Sequence, residues 1–180
     1  MHNPSKWQLR PINRGDLTAS IQWRNDPQTR DMVMGYAFPV TEEMEQAWYD
    51  RALADQGGKR ASYAIAKSET GPAVGFVHLT DINWIWRTCE LGIVVGDPES
   101  RGQKIGPIAT QQAIRIAFDI LNLGRVTVRV LSVNGRALKM FQTVGFREEG
   151  RLRKAAIVNG SAIDIVLLGL LAGEEAGEAS

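Results

Sequence analysis

One junction constrains this chain more than any other segment: a strand-forming run, Cys89 to Val95, passes through a glycine-rich, positively charged loop into a long helix. The loop carries Arg101, Gly102, Lys104 and Gly106. From Ile105 to Leu121, apolar residues including Ile108, Ala109, Ala113, Ile116, Ala117 and Ile120 recur at helical spacing. Backbone N–H groups at a helix start lack internal partners and point outward, so they suit an anion. Glycines let the backbone approach it closely, and Arg101 and Lys104 add charge. The junction reads as a pyrophosphate cradle, with a ligand-free strand-to-helix turn as the alternative. A nucleoside-triphosphate loop would need Gly-x-x-x-x-Gly-Lys-Ser/Thr, which is absent, and a dinucleotide site would place its glycines after the first strand.

The rest of the chain supplies the elements around this junction. Trp7 to Ile12 alternates as a strand, and Asp16 is placed to cap a helix that Asp26-Pro27 ends. A loop over 30–40 leads to a helix from Thr41 to about Ala54. Ala61 to Lys67 and Ala73 to Leu79 are short strands, and Asp81 to Trp86 either continues the second or turns away. Arg125 to Leu131 is a strand and Asn134 to Val144 an amphipathic helix; strands near Gly150 to Val158 and Ala162 to Leu170 flank the hairpin dipeptide Asn159-Gly160. The order predicts an α/β fold with one mixed sheet and helices on both faces. Residues 1–171 form a single domain in this reading, and the small, acidic stretch 172–180 a disordered tail.

Composition narrows the function. A formal net charge of +1 argues against broad nucleic-acid binding. The single cysteine, Cys89, excludes an intramolecular disulfide and suits a reducing compartment. No apolar run approaches the ~20 residues that span a bilayer, and the first residues lack a signal peptide's apolar core. A cytoplasmic protein without membrane contact is expected.

The stretch Arg101-Gly102-Gln103-Lys104-Ile105-Gly106 resembles the acetyl-coenzyme A signature of the GNAT superfamily, Arg/Gln-x-x-Gly-x-Gly/Ala. Lys104 stands where that family usually has glycine, so either the local backbone differs or the lysine itself meets phosphate. Downstream, Asn134-Gly135-Arg136-Ala137-Leu138-Lys139-Met140-Phe141 through Gly145-Phe146 is similar to the family's second coenzyme segment, and Glu148-Glu149-Gly150 to a stretch of one branch. Leu9-Arg10-Pro11-Ile12 and Trp23-Arg24-Asn25-Asp26-Pro27 look like that branch's first strand and helix. The branch holds ribosomal-protein N-terminal, spermidine and nucleotide-linked amino-sugar acetyltransferases.

The resemblance implies a GNAT-like fold that binds acetyl-CoA as co-substrate, with no metal. Pantetheine would enter a V-shaped opening between the strands around Ile93 and Val128. The segment Ile93-Val94-Val95 would offer it backbone groups, with Arg101, Gly102, Gln103, Lys104, Ile105 and Gly106 at the pyrophosphate and Asn134 and Phe141 on the arm. Transfer would be direct to an amine, which leaves Cys89 a buried structural thiol. Glu90 is the candidate base, its alternatives a solvent-facing strand residue or a partner of Arg87. Phe141 occupies the family's tyrosine position and cannot protonate the leaving thiolate, so solvent or another donor such as Ser132 must.

For the acceptor, Trp23 and Trp84 are candidate stacking residues, Arg24 a phosphate contact, and His78 a group that titrates near neutrality. Trp84 and Trp86 share one face if their segment is extended. The leading acceptor is a nucleotide-linked amino sugar; a protein N-terminus and a polyamine are the alternatives, Glu42, Glu43 and Glu45 being the acidic groups a polyamine would want. A homodimer is compatible with this reading. A catalytically silent coenzyme-binding or interaction module is the competing class.

Overall fold

The computed structural model describes residues 6–33 and 38–174. Four strands, β1 (Gln8–Pro11), β2 (Ala61–Ala66), β3 (Gly75–Asn83) and β4 (Thr88–Val95), pair antiparallel in succession. β5 (Arg125–Leu131) lies parallel to β4 and antiparallel to β7 (Ser161–Leu171), which in turn pairs with β6 (Arg147–Val158). The seven strands form one sheet in the order β1-β2-β3-β4-β5-β7-β6.

Side chains alternate across the sheet, and each face has its own helices. Val77, Leu79, Leu91, Val126, Val128, Val166 and Leu168 point to one face, beneath α4 (Ile105–Arg115) and α5 (Gly135–Val144). Each such side chain contributes about 1.5–3 kcal/mol when fully buried. On the other face, Ala64 and Phe76 meet Leu17 and Trp23 of α1 (Leu17–Asn25) and Tyr49 of α3 (Glu42–Ala54). The expected mixed sheet with helices on both faces is the architecture observed. The edge strand β1 is pinned to α4 by Gln112, which accepts from Leu9 N–H at 2.9 Å and donates to Trp7 carbonyl at 2.8 Å.

Several local expectations change. Asp16 does not cap α1 through its side chain. Its carboxylate is buried and takes both ends of the Arg10 guanidinium, at 2.9 and 2.7 Å, a bidentate pair that locks β1 to the start of the helical face. Asp26-Pro27 ends α1 but also opens a short helix, α2 (Pro27–Arg30): Asp26 accepts from Thr29 N–H and Oγ1 at 2.9 and 2.7 Å, with proline at the first helical position. Residues 84–87 form a turn rather than an extended run, so Trp84 and Trp86 share no strand face. α4 continues into a π-helical turn over Ile116–Ile120. The sheet ends at Leu171; residues 175–180 of the expected tail lie outside the described residues. Among the described residues no helix is long and apolar enough to cross a membrane.

Candidate active site

β4 and β5 begin as neighbours and then part. Their pairing runs from Thr88↔Arg125 to Glu90↔Thr127 and stops. Gly96 N–H donates to the Val74 carbonyl, so strand alternation turns the even-numbered backbone groups toward β3 and those of Ile93 and Val95 toward β5. Among the described residues no strand pairs with Ile93 or Val95 on that side. The result is a wedge with strand-type donors and acceptors along one wall and its apex beside Glu90.

A cavity of about 420 Å³ opens from this wedge. Ile93, Val94 and Val95 form one wall, Arg101, Gly102 and Lys104 to Pro107 the end, and Asn134, Arg136, Ala137 and Met140 the opposite wall. Gln28, Thr29, Met32 and Val33 close the side. Of the sequence-predicted coenzyme residues, all but Gln103 and Phe141 line it. Gln103 turns out to donate to the Glu99 carbonyl at 3.2 Å. Phe141 is 4% exposed and meets Phe146 edge-on, 5.3 Å between centroids, so it belongs to the core and its neighbour Met140 takes the wall.

The backbone at Lys104 shows why glycine suits this position. Lys104 is the N-cap of α4 and adopts φ +57°, a left-handed conformation that favours glycine. A glycine would hold this conformation without strain, yet a lysine occupies it here. No side chain caps α4, so its first N–H groups face the cavity end, beside Gly102 at φ +87°. A Cβ on Gly106 would meet Met140 only at ordinary contact, 3.8 Å, which explains why alanine also suits that position. Arg101 folds inward, donating to Thr29 Oγ1 at 3.0 Å and lying 3.9 Å from Asp26. The side chains of Lys104 and Arg136 show no partner among the described residues, and both border the cavity. A diphosphate fits this end: the uncapped start of α4 and two cations without a partner among the described residues border it. Arg136 gives no signal of its own in the sequence, being one of many helix cations, and only the packing of α5 brings it to the cavity. α2 is hidden in the sequence because Asp-Pro ends one helix and opens the next at the same place.

Asn134 caps α5 by accepting from Ala137 N–H at 3.1 Å, and its amide donates to the Met32 carbonyl at 3.1 Å, bridging the cavity's mouth. Nearby, Asn159 of the β6–β7 turn donates to Asp31 at 2.7 Å.

Glu90 faces the side of the sheet that carries α1 and α3, and its partner is Arg129, not Arg87: Arg129 Nε lies 3.0 Å from each carboxylate oxygen. Arg87 instead holds Asn122. Cys89, on the opposite face, is buried, and burial together with the Glu90 charge pushes its thiol up to about 12. It holds no thiolate at neutral pH and is no nucleophile.

The four residues expected at the acceptor take structural places. Trp23 is buried and packs against Phe76, centroids 5.5 Å apart. Arg24 pairs with Glu45, which is wholly buried and also accepts from Ser20. Trp84 sits at the β3–β4 turn, at the end of β4 away from the cavity, and donates to the Gly58 carbonyl at 2.7 Å. His78 bonds Ser62 Oγ at 3.0 Å and stands edge-on to Trp48. Burial, reinforced by the charges of Arg60 and Arg24, lowers its pKa to about 4, so it stays neutral near pH 7. With Glu45 committed, only Glu42 and Glu43 of that acidic turn are exposed.

The sequence pattern of the acetyltransferase (GNAT) domain matches residues 7–147. The spermidine N(1)-acetyltransferase of Vibrio cholerae is 27% identical over 161 residues, spanning 89% of this chain and 90% of that one. The enzyme of the same name from Escherichia coli is 30% identical over 159 residues, 85% and 79% of the two chains. Among solved structures, spermidine N-acetyltransferase from Vibrio cholerae in complex with CoA and spermine superposes with a TM-score of 0.85 at 24% identity, covering 94% of this chain and 98% of that one.

Proposed function

Because the chain belongs to the acetyltransferase (GNAT) family and is an acetyl-CoA-dependent N-acetyltransferase, we propose that its acceptor is a polyamine and that Glu90 receives the proton of the reacting amine. The acceptor reading is supported by two spermidine acetyltransferases at 27% and 30% identity over most of this chain. It displaces the nucleotide-linked amino sugar as the leading acceptor. The catalytic unit in this proposal is a single domain, residues 1–171, ending with β7.

The observation that carries the residue roles is the apex of the wedge at Glu90↔Thr127. Acetyl-CoA supplies an activated thioester. Ile93 and Val95 would hold its pantetheine arm through their cleft-facing backbone groups, and Lys104, Arg136 and the α4 start its phosphates. An arm laid along β4 points its reactive end toward the apex, and the Glu90 carboxylate stands there on the acceptor side. A protonated amine cannot attack a carbonyl; a carboxylate within reach, directly or through one water, removes that barrier. The leaving thiolate is a good leaving group, so solvent protonation suffices with Phe141 buried in the core.

A thiol-release assay with acetyl-CoA over spermidine, a peptide N-terminus and a nucleotide-linked amino sugar tests the acceptor. Spermidine should show the highest kcat/KM. A tenfold preference for another acceptor overturns the polyamine reading, and coenzyme binding without turnover on any amine favours a silent module.

A further inference from the structure

Arg129 lies two residues beyond Thr127, the last residue of β5 paired with β4. The two strands have already parted at its position, yet its side chain reaches back across the gap to Glu90. The ion pair therefore spans the apex of the wedge on the face that carries α1 and α3. Arg129's side chain is 49% exposed and that of Glu90 24%, so the guanidinium can swing into water without unpacking the core.

We propose that Arg129 is a specificity-determining residue: an internal cation that occupies the Glu90 carboxylate until the ammonium of an acceptor displaces it. This rests on the reading of Glu90 as the group that meets the acceptor amine. The exchange replaces one cation by another on a single carboxylate. Arg129 engages through one N–H donor shared between both oxygens, whereas an ammonium is compact and brings three donors. A cationic amine can win that competition. An uncharged amine makes no ionic claim on the carboxylate and stands outside that competition, so the pair sets KM for acceptors that arrive protonated and for no others.

Arg129→Gln should lower KM for spermidine roughly two- to five-fold, the worth of an exposed ion pair. Its KM should also become more sensitive to salt, because a lone carboxylate replaces a neutral pair. KM for an arylamine, uncharged at neutral pH, should not move, and Arg129→Lys, which keeps a cation at this position, should not lower the spermidine KM. Arg129→Ala repeats the test should the glutamine variant fold poorly, and calorimetry of spermidine with CoA present reads the same change without turnover. An unchanged spermidine KM at matched melting temperature overturns the proposal, as does an equal fall for the arylamine. Glu90→Gln separates the two readings. If it spares kcat while Arg129→Gln still lowers the spermidine KM, the exchange stands and Glu90 binds the ammonium without acting as base. If it abolishes kcat while Arg129→Gln changes nothing, the base stands and the exchange falls.

Discussion

Gly96 lies so close beneath Trp23 that a Cβ added to it would stand 2.1 Å from the indole ring. Trp23 is buried, and Gly96 is the residue at which β4 gives way to the phosphate loop. Gly96→Ala must therefore move either the ring or the loop. Overpacking of this kind costs typically 1–3 kcal/mol. Thermal denaturation should show that loss, and CoA affinity should fall with it; an alanine variant as stable as wild type would mean the ring has room the structure does not show.

Lys104 couples strain to charge. Its left-handed backbone, φ +57°, costs a side-chain-bearing residue about 1–2 kcal/mol, partly offset in a glycine variant by the chain entropy glycine loses. Lys104→Gly should thus match or exceed wild-type stability while binding CoA more weakly. Lys104→Ala should lose affinity without the gain in melting temperature. Calorimetry and melting curves on the two variants check this, and equal CoA affinity in all three proteins would remove Lys104 from the phosphate end.

His78 should make the protein sensitive to mild acid. The unfolded chain takes up a proton on this imidazole near pH 6.5, but the folded protein resists until about 4. Between those values the unfolded state binds more protons, so stability falls as pH drops through the window and is unaffected by His78 above it. His78→Gln should flatten the stability profile between pH 6.5 and 4 in chemical denaturation. A slope identical to wild type would assign the acid sensitivity elsewhere.

Cys89→Ala should retain most of kcat, since a thiol pushed up to about 12 supplies no nucleophile at neutral pH. A modest stability loss from the small cavity is expected. Mass spectrometry that finds acetyl on Cys89, discharged by added amine, would establish a covalent route instead.

Strands and long helices were legible because their periodicities are carried by many residues at once, as in α4 and in the Asn159-Gly160 hairpin. The phosphate loop was legible because glycine spacing encodes backbone geometry. Tertiary partnership was not. Trp23, Arg24 and His78 are polar or aromatic types that suit a ligand as well as a core, and only the fold reveals that Phe76, Glu45 and Ser62 already claim them. Phe141 and Met140 are adjacent, and which of them faces the cavity depends on how α5 rolls against the sheet. Arg129 carries no local signal, because its partner lies 39 residues away on another strand.

The short β4–β5 seam has a consequence for how the protein comes apart. Among the described residues, only Thr88, Cys89 and Glu90 join the β1–β4 half of the sheet to the β5–β7–β6 half by strand pairing. Two blocks tied by so narrow a backbone seam are candidates for separate cooperative units in native-state hydrogen exchange. A coenzyme lying in the wedge serves as a detachable strand that stitches them. Amides of Ile93 and Val95 should exchange quickly in the unliganded protein and slow sharply when CoA is added, while the two halves begin to open as one.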